Sequence, residues 1–313
     1  MSRSIGLLLG FAADRAFGDP QRWHPVAGFG QTAVELERRT YADSRLRGAA
    51  YTLVLVGSVT AAGVIVEFTT RRHPVANTLV TAATTWAALG GRSLGREAAA
   101  INAHLTSGDL IAARQRLTHL VARETSELTH EEIARAVVES VAENTSDAVV
   151  APLLWGAVAG VPGLVGYRAA NTLDAMVGYK SSRYRNFGWA SARFDDVINL
   201  PAARFGGVLV ALAEPTRARE VIRTWRRDAR DHPSPNAGVV ESAFAGALGV
   251  RLGGTNTYHG VAEHRVAMGD GPAPAAADIA RANRLAARVG LAAALAAATA
   301  SLRTRRRLTS ARS

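Results

Sequence analysis

The chain has 313 residues, a formal net charge of +11, a hydrophobic fraction of 48% and a mean hydropathy of +0.04. Because these averages are close to those of soluble proteins, a membrane assignment depends on where the apolar residues lie. The absence of cysteine excludes disulfides, thiolate nucleophiles, Cys-ligated zinc and iron–sulfur clusters. The positive charge favours an anionic partner such as lipid headgroups or phosphates, whereas an aromatic content of 6% argues against nucleic acid.

The N-terminal region predicts a short or half-inserted helix over residues 4–17, followed by a polar loop. The loop, GDPQRWHPVAGFG, covers Gly18–Gly30, and its two prolines and three glycines are typical of irregular structure. Asp19, Arg22 and His24 make this loop unusually polar. The spacing of these polar residues, taken alone, favours a turn with an N-capping aspartate over a binding loop.

Five apolar runs predict membrane-spanning or buried helices. They are residues 48–68, 75–91, 149–166, 201–213 and 286–302. The second and fourth are short for a span, and the prolines and glycines of the third leave a buried hairpin as its alternative. The predicted fold class is all-α: a polytopic membrane helical bundle in a single integral-membrane domain, with amphipathic helices on the cytoplasmic side. Arginines after the last run favour a cytoplasmic C-terminus.

The polar segments between these runs carry helical periodicity. Residues 91–141 predict two or three surface helices outside the bilayer, one of them starting at a capping box of Thr129 and Glu132. Residues 214–232 predict a basic helix that either lies against anionic lipid or is simply solvated. In HPSPNAG, Asn236 is predicted to cap a helix that ends at Gly253 and Gly254. Anion binding at the start of that helix and ordinary capping explain the same residues equally well.

Polar residues crowd both ends of the apolar run 149–166 at helical spacing, so that each group shares one helix face. The groups are Glu139, Glu143 and Asp147 before the run, and Tyr167, Asn171 and Asp174 after it. Asp195 and Asp196 follow, among several arginines. Carboxylates combined with cations suit Mg2+-dependent phosphoryl chemistry. A salt-bridge network between packed helices accounts for the same residues equally well.

Lys180 is the only lysine among 37 basic residues, and it lies within this polar region. Either chance left it there, or the site needs a compact ammonium group rather than a planar guanidinium. Neither a P-loop nor a G-x-G-x-x-G fingerprint after a strand is found in the sequence. Any nucleotide site must therefore be built in another way.

Several motifs resemble those of the CobD/CbiB family of cobalamin biosynthesis proteins. They are GDPQRWHPV, ENTSDAVVAPLLW, YRAANTLDAMVGYK, RYRNFGWASARFDD, HPSPNAG and LGGTNTYHG, and together they span Gly18–Gly260. The resemblance implies a multi-pass membrane enzyme of corrinoid assembly that performs an ATP-dependent amide ligation. The propionate of adenosylcobyric acid would be activated as an acyl phosphate. The amine of aminopropanol, or of aminopropanol phosphate, would then attack it to give adenosylcobinamide or its phosphate.

The resemblance also implies site residues, for which the individual roles are our inference. The catalytic candidates are Glu143, Asp147, Lys180 and Arg193. The substrate-binding candidates are Asp19, His24, Asn144, Tyr167, Arg168, Asn171, Ser234, Asn236 and Glu241. The metal-ligand candidates are Asp174, Asp195 and Asp196. ATP and Mg2+ are the implied cofactors.

The same resemblance implies an inner-membrane protein with its active site and C-terminus in the cytoplasm. The lipid bilayer and the two substrates would be its partners, and other corrinoid-assembly enzymes remain open as further partners. Two other classes of protein also fit the sequence. A transporter would place polar residues beside proline- and glycine-broken spans in the same way. A structural subunit of a corrinoid-assembly complex would show no activity of its own.

Overall fold

A computed structural model of the chain describes residues 1–20, 24–258 and 261–310. The described helices of its first half are α1 (Ser2–Phe17), α2 (Pro25–Thr40), α3 (Arg45–Thr70), α4 (Pro74–Ala88), α5 (Gly91–Thr106), α6 (Leu110–Leu117) and α7 (His130–Thr145). Those of its second half are α8 (Ala151–Ala159), α9 (Val161–Val177), α10 (Tyr184–Phe187), α11 (Trp189–Ala213), α12 (Ala218–Asp228), α13 (Ala237–Leu248) and α14 (Ala276–Ser310). One hairpin pairs β1 (Leu252–Tyr258) antiparallel to β2 (Val261–Met268).

Three of the described helices are long and apolar enough to cross a membrane. They are α3, α11 and the part of α14 from Ala276 to Leu302. The outer side of α3 exposes large apolar side chains, including Leu53, Ile65 and Phe68. Such a surface suits lipid rather than water. The predicted all-α fold with membrane-length helices is confirmed.

Two of the predicted apolar runs do not form one long helix each. Residues 75–91 fall largely in α4, which at 15 residues is shorter than a span. Residues 149–166 are divided between the end of a π-helical turn (Ser146–Val150), α8 and the start of α9. The break lies at Gly160, whose φ is +71°, and Pro162 in the first turn of α9 fits the new helix start. The other three runs lie in α3, α11 and α14, and the number of crossings stays a prediction.

The predicted helix end at Gly253 and Gly254 is wrong. The helix α13 ends earlier, at Gly249, which adopts the left-handed conformation with φ +70° and ψ 37° that ends many helices. Gly253 and Gly254 lie instead in β1, at an irregularity in its pairing with β2. The glycine pair therefore serves a bulged strand, which the sequence analysis did not predict.

The chain divides into two compact units, each assembled from separate segments. The first comprises Met1–Gly90, Ala151–Asn199 and Ala293–Ser313. In its core α3 packs against α9, with Tyr51, Leu55, Leu173 and Phe187 buried between neighbouring elements. Glycines of α1 lie directly against threonines of α4, as small residues do where membrane helices approach closely.

The second unit comprises Gly91–Val150 and Leu200–Ala292. Its most buried helix is α13, in which every residue from Ala237 to Leu248 is buried. One side of α13 packs on α12, where a Cβ on Gly246 would meet the backbone of Glu220 and Val221. The Thr129 side chain and Glu132 form the predicted capping box at the start of α7, so that prediction is confirmed.

Gly48→Ala should destabilise the protein, because the added Cβ would collide with the carbonyl group of Phe187. Overpacking of this kind typically costs about 1–3 kcal/mol. Gly57→Ala is the matched control on the same helix, since a Cβ there meets open space among the described residues. It should be neutral or stabilising, by up to about 1 kcal/mol. Thermal unfolding in detergent measures both, and equal losses of stability would contradict this packing.

Candidate functional site

A chain of hydrogen bonds joins α9 to α11 in the first unit. The hydroxyl of Tyr167 donates to Oδ1 of Asn199 at 2.9 Å, and Nδ2 of Asn199 donates to Oδ2 of Asp195 at 2.9 Å. From the other side, Nδ2 of Asn171 faces Oδ1 of Asp195 at 3.5 Å, and Nη1 of Arg168 faces Oδ1 of Asn171 at 3.4 Å. The Asp195 carboxylate is thus held between two amide groups in the interior of the unit.

The three predicted metal ligands do not converge as a group. Asp174 is near enough to Asp195 for the two carboxylates to repel each other. Asp196 points elsewhere, with its carboxylate 3.9 Å from the Arg193 guanidinium, because consecutive side chains on a helix diverge by about 100°. Among the described residues, no cluster of three His, Cys, Asp or Glu side chains could hold a metal ion. Since Mg2+ usually takes only one or two carboxylates together with phosphates and water, the pair Asp174 and Asp195 still fits it.

A cavity of about 480 Å³ lies beside this network in the first unit. Apolar side chains of α2, α3, α4 and α9 form most of its wall, and Arg168 is the charged residue in its lining. The Nε atom of Arg168 is buried and has no hydrogen-bond partner among the described residues. The cavity therefore offers apolar contact and a guanidinium donor to the same ligand.

The second unit buries an acid–base cluster around Glu139 of α7. Nη2 of Arg123 lies 2.6 Å from Oε2 of Glu139, and both side chains are 4% exposed. The other carboxylate oxygen of Glu139 accepts the backbone N–H of Gly253 in β1 at 2.9 Å. Arg135, one turn before Glu139, approaches the same carboxylate at 3.9 Å. The ion pair with Arg123 therefore connects α7 to the loop before it, and the hydrogen bond from Gly253 connects α7 to the hairpin.

Glu241 of α13 lies in the same cluster with a different environment. The residue is 1% exposed, and neither of its carboxylate oxygens has a hydrogen-bond partner among the described residues. Nε2 of His232 lies 3.8 Å from Oε2 of Glu241, too far for a hydrogen bond. Nδ1 of His232 lies 3.1 Å from both the backbone N–H and the carbonyl oxygen of Ser234, and its Nε2 faces Glu241.

Burial and neighbouring charge shift the pKa values of this cluster. The pKa of Glu241 lies well above its usual value, chiefly because of burial and secondly because of Glu139 and Glu143. Burial also raises the pKa of Glu143, although Arg265 and Arg123 oppose that shift. Burial lowers the pKa of His232. The cluster therefore favours neutral Glu241 beside neutral His232.

Glu143 differs from Glu241 in that ligands can reach it. Its side chain is accessible, although the protein around it is dense enough to raise its pKa through lost hydration. A π-helical turn follows α7 just beyond it, a feature that is frequent at functional sites. Asp147 lies within that turn, outside the α-helical register that aligns Glu139 with Glu143.

Three substrate-binding candidates take part in helix starts. His24, and not an aspartate, caps α2, since its Nδ1 accepts the N–H of Val26 at 3.1 Å. The predicted turn at Asp19 runs into residues outside the described ones. Asn236 occupies the N-cap position of α13 without a side-chain cap bond, and its Oδ1 accepts from Nη1 of Arg204 at 2.9 Å. Ser234 makes the capping contact instead, because its Oγ accepts the N–H groups of Asn236 and Ala237.

The surroundings of the remaining candidates differ from one another. Asn144 donates to the carbonyl and hydroxyl oxygens of Ser140 on its own helix. Lys180 and Arg193 are exposed, and Asp19 follows α1 directly. Arg22 lies outside the described residues. The sequence-predicted sites are thus brought together as two groups, one in each unit: Tyr167, Arg168, Asn171, Asp174 and Asp195 in the first, and Glu143 and Glu241 in the second.

Comparison with known proteins assigns the chain to a family. The CobD/Cbib protein family matches residues 7–286. The chain belongs to the CobD/CbiB family. No solved structure gives a significant match.

The family's curated members are similar to this chain over most of its length. The cobalamin biosynthesis protein CobD of Mycobacterium tuberculosis H37Rv is 50% identical over 285 residues, which cover 90% of each chain. CobD of Geobacter metallireducens is 46% identical over 266 residues, covering 82% of this chain and 83% of the relative. CobD of Chromobacterium violaceum is 44% identical over 294 residues, covering 91% and 92%. The family resemblance seen in the motifs is confirmed.

Family motifs alone did not reveal every member of the two groups. Asn199 lies four residues after Asp195 on α11, so its helical spacing was a usable signal. His232 opens the HPSPNAG motif but was not selected. Arg123 and Arg265 come from a loop and from β2, and neither has a spacing that links it to α7.

Glu241→Gln should change how stability depends on pH. Because the folded-state pKa of Glu241 is raised, its contribution to stability is fully present below the pKa of an unfolded glutamate and is lost as pH rises through the folded value. Gln stays neutral, so the variant should lose less stability than the wild type as pH rises. The unfolding temperature in detergent, measured from acid to alkaline pH, checks this.

Glu132→Gln is a control variant in which the expected change of stability with pH has the opposite sign. A hydrogen bond from the Thr129 backbone N–H lowers the pKa of Glu132, so its contribution is present above the unfolded pKa and is lost as pH falls. This variant should be less stable than the wild type at neutral pH, and the difference should shrink in acid. Parallel pH profiles for wild type and Glu241→Gln would contradict the assignment of Glu241 as a buried acid.

Proposed function

We propose that this protein forms the amide bond between an amino alcohol and a corrinoid carboxylate during cobalamin biosynthesis. Membership of the CobD/CbiB family over nearly the whole chain carries the proposal. The acid, specifically, is the propionate of adenosylcobyric acid, and the amine is aminopropanol or its phosphate. The product is adenosylcobinamide or its phosphate.

A carboxylate does not react with an amine unless it is first activated. Magnesium-bound ATP would supply the phosphoryl group for that activation. The carboxylates of Asp174 and Asp195 suit the metal, and their supporting amides orient Asp195. Arg168 suits an anionic group of a substrate, since its Nε remains buried and unbonded among the described residues.

The amine must lose a proton when its nitrogen forms the new bond. Glu143 suits this role, because its side chain is accessible and its raised pKa makes it a stronger base than an ordinary glutamate. Arg265 and Arg123 interact with its charge and would limit that increase. Glu241 and His232 would set the electrostatic environment behind it rather than touch the substrate.

The apolar helices and the arginine-rich C-terminal segment support a proposal for the cellular setting. We place the chain in the cell membrane with several crossings and with its C-terminus in the cytoplasm. ATP and the corrinoid precursor are then available to one face of the protein. Other corrinoid-assembly enzymes would be neighbours on that face.

The decisive experiment is mass spectrometry of the purified protein with adenosylcobyric acid, ATP and Mg2+. Parallel reactions contain aminopropanol phosphate or aminopropanol. We expect ATP-dependent formation of the corresponding amide, with the faster reaction identifying the true substrate. Failure to form either product in detergent and in reconstituted membranes would overturn the enzyme assignment in favour of a transporter or a structural subunit.

Asp195→Asn and Asp174→Asn should each lower kcat/KM on the order of 10- to 100-fold, with partial rescue by raised Mg2+. Each change removes a negative charge that would bind the metal, and mass action can offset weaker binding. Asp196→Asn is the matched control at the neighbouring position, because the Asp196 carboxylate faces Arg193 at the surface and not the hydrogen-bond network around Asp195. It should retain most activity. An equal loss of kcat/KM in Asp195→Asn and Asp196→Asn would contradict the assignment of Asp195, and not Asp196, as a metal ligand.

A further inference from the structure

The helix α12 begins almost directly after a helix of membrane-spanning length. The spanning candidate α11 ends at Ala213, and α12 starts at Ala218 after a short 3₁₀ turn, Pro215–Arg217. Four intervening residues reach no further than about 18 Å even when fully extended. Inside the second unit α12 also packs on the end of α11, where a Cβ on Gly207 would lie 3.0 Å from the Trp225 ring. The position of α12 is therefore close to one bilayer surface.

The two faces of α12 have opposite character. Val221, Thr224 and Asp228 face the interior of the unit. The outer face forms a shallow groove of about 560 Å³, lined by Arg219, Ile222, Arg223, Arg226, Arg227 and Arg230. Their helical spacing makes this one continuous basic stripe, with the exposed Ile222 near its centre. A basic stripe with an apolar residue is typical of helices that lie in a membrane interface.

Internal ion pairs explain only part of this stripe. Arg227 bonds with Asp228 and Asp270, and Arg223 bonds with Glu220. These two guanidinium groups therefore stabilise the unit itself. Within the described part of the chain, Arg219, Arg226 and Arg230 make no ion pair or hydrogen bond with a carboxylate. Three exposed positive charges remain available for an external anion.

We propose that the outer face of α12 binds the anionic phospholipid headgroups of the membrane that the chain spans. Arg219, Arg226 and Arg230 contact the phosphates, while Ile222 inserts at the level of the headgroups. The occupant is a lipid surface because the adjoining end of α11 already holds α12 at that level. Each basic residue near an anionic surface contributes about 1 kcal/mol, which is roughly a fivefold effect on binding.

The absence of cysteine from the sequence permits a single-site probe of this contact. Ile222→Cys carries an environment-sensitive fluorophore, and the full-length protein is placed in nanodiscs of zwitterionic lipid with or without phosphatidylglycerol. We expect the emission to shift to shorter wavelength only when phosphatidylglycerol is present. High salt should remove the shift, because it screens exposed charges.

A matched pair of arginine variants tests whether the stripe itself is responsible. Arg226→Gln/Arg230→Gln in the labelled background should require roughly 25-fold more anionic lipid for the same shift. Arg96→Gln/Arg251→Gln removes the same charge from exposed positions of the same unit and should leave the response unchanged. The proposal is overturned by equal emission in both lipids, or by equal effects of the two double variants. It is also overturned if inorganic phosphate in zwitterionic nanodiscs reproduces the shift, since the groove would then be a soluble-anion site.

Discussion

The buried Arg123–Glu139 pair is the interaction on which the interior of the second unit depends. Glu139 joins α7 to the loop that carries Arg123 and, through the N–H of Gly253, to the hairpin. The loss of one partner from such a pair typically costs about 3–5 kcal/mol, because the other charge stays buried. Here the cost would be compounded, since Arg123 also interacts with the charges of Glu143 and Glu241. Two guanidinium groups, those of Arg265 and Arg123, thus offset part of the repulsion among three neighbouring acids.

The first unit accommodates its buried acid by different means. Asp195 lies on a helix long enough to span a membrane, where an isolated carboxylate would be costly. Its partners are the amides of Asn171 and Asn199, and Tyr167 holds the second amide in place. Neutral amide donors stabilise a carboxylate without supplying an opposite charge. Glu139 instead has a charged partner, the guanidinium group of Arg123.

Local signals predicted local structure well and long-range contacts poorly. The capping box at Thr129 and the apolar run in α3 depend only on neighbouring residues, and both were predicted. Gly253 and Gly254 were interpreted as a helix end, because glycine permits a cap and a bulged strand equally. Asp195 and Asp196 were both assigned, with Asp174, to one metal site, although adjacent positions on a helix face different surroundings. Arg265 influences the charge of Glu143 in α7 from a strand more than a hundred residues away, an interaction that no spacing rule contains.

The unbonded carboxyl group of Glu241 is the strongest argument that the acidic cluster is more than a packing device. A buried polar group without a partner costs about 1–3 kcal/mol, and packing alone would favour an apolar residue of similar size at that position. The cost is lowest when Glu241 is neutral, a state that its burial favours most and that the neighbouring Glu139 and Glu143 favour further. Conversely, a negative charge on Glu241 would raise the proton affinity of Glu143, its accessible neighbour. Coupling between a hidden acid and an accessible one would suit the proton transfer that the proposed function requires, whereas packing alone does not require it.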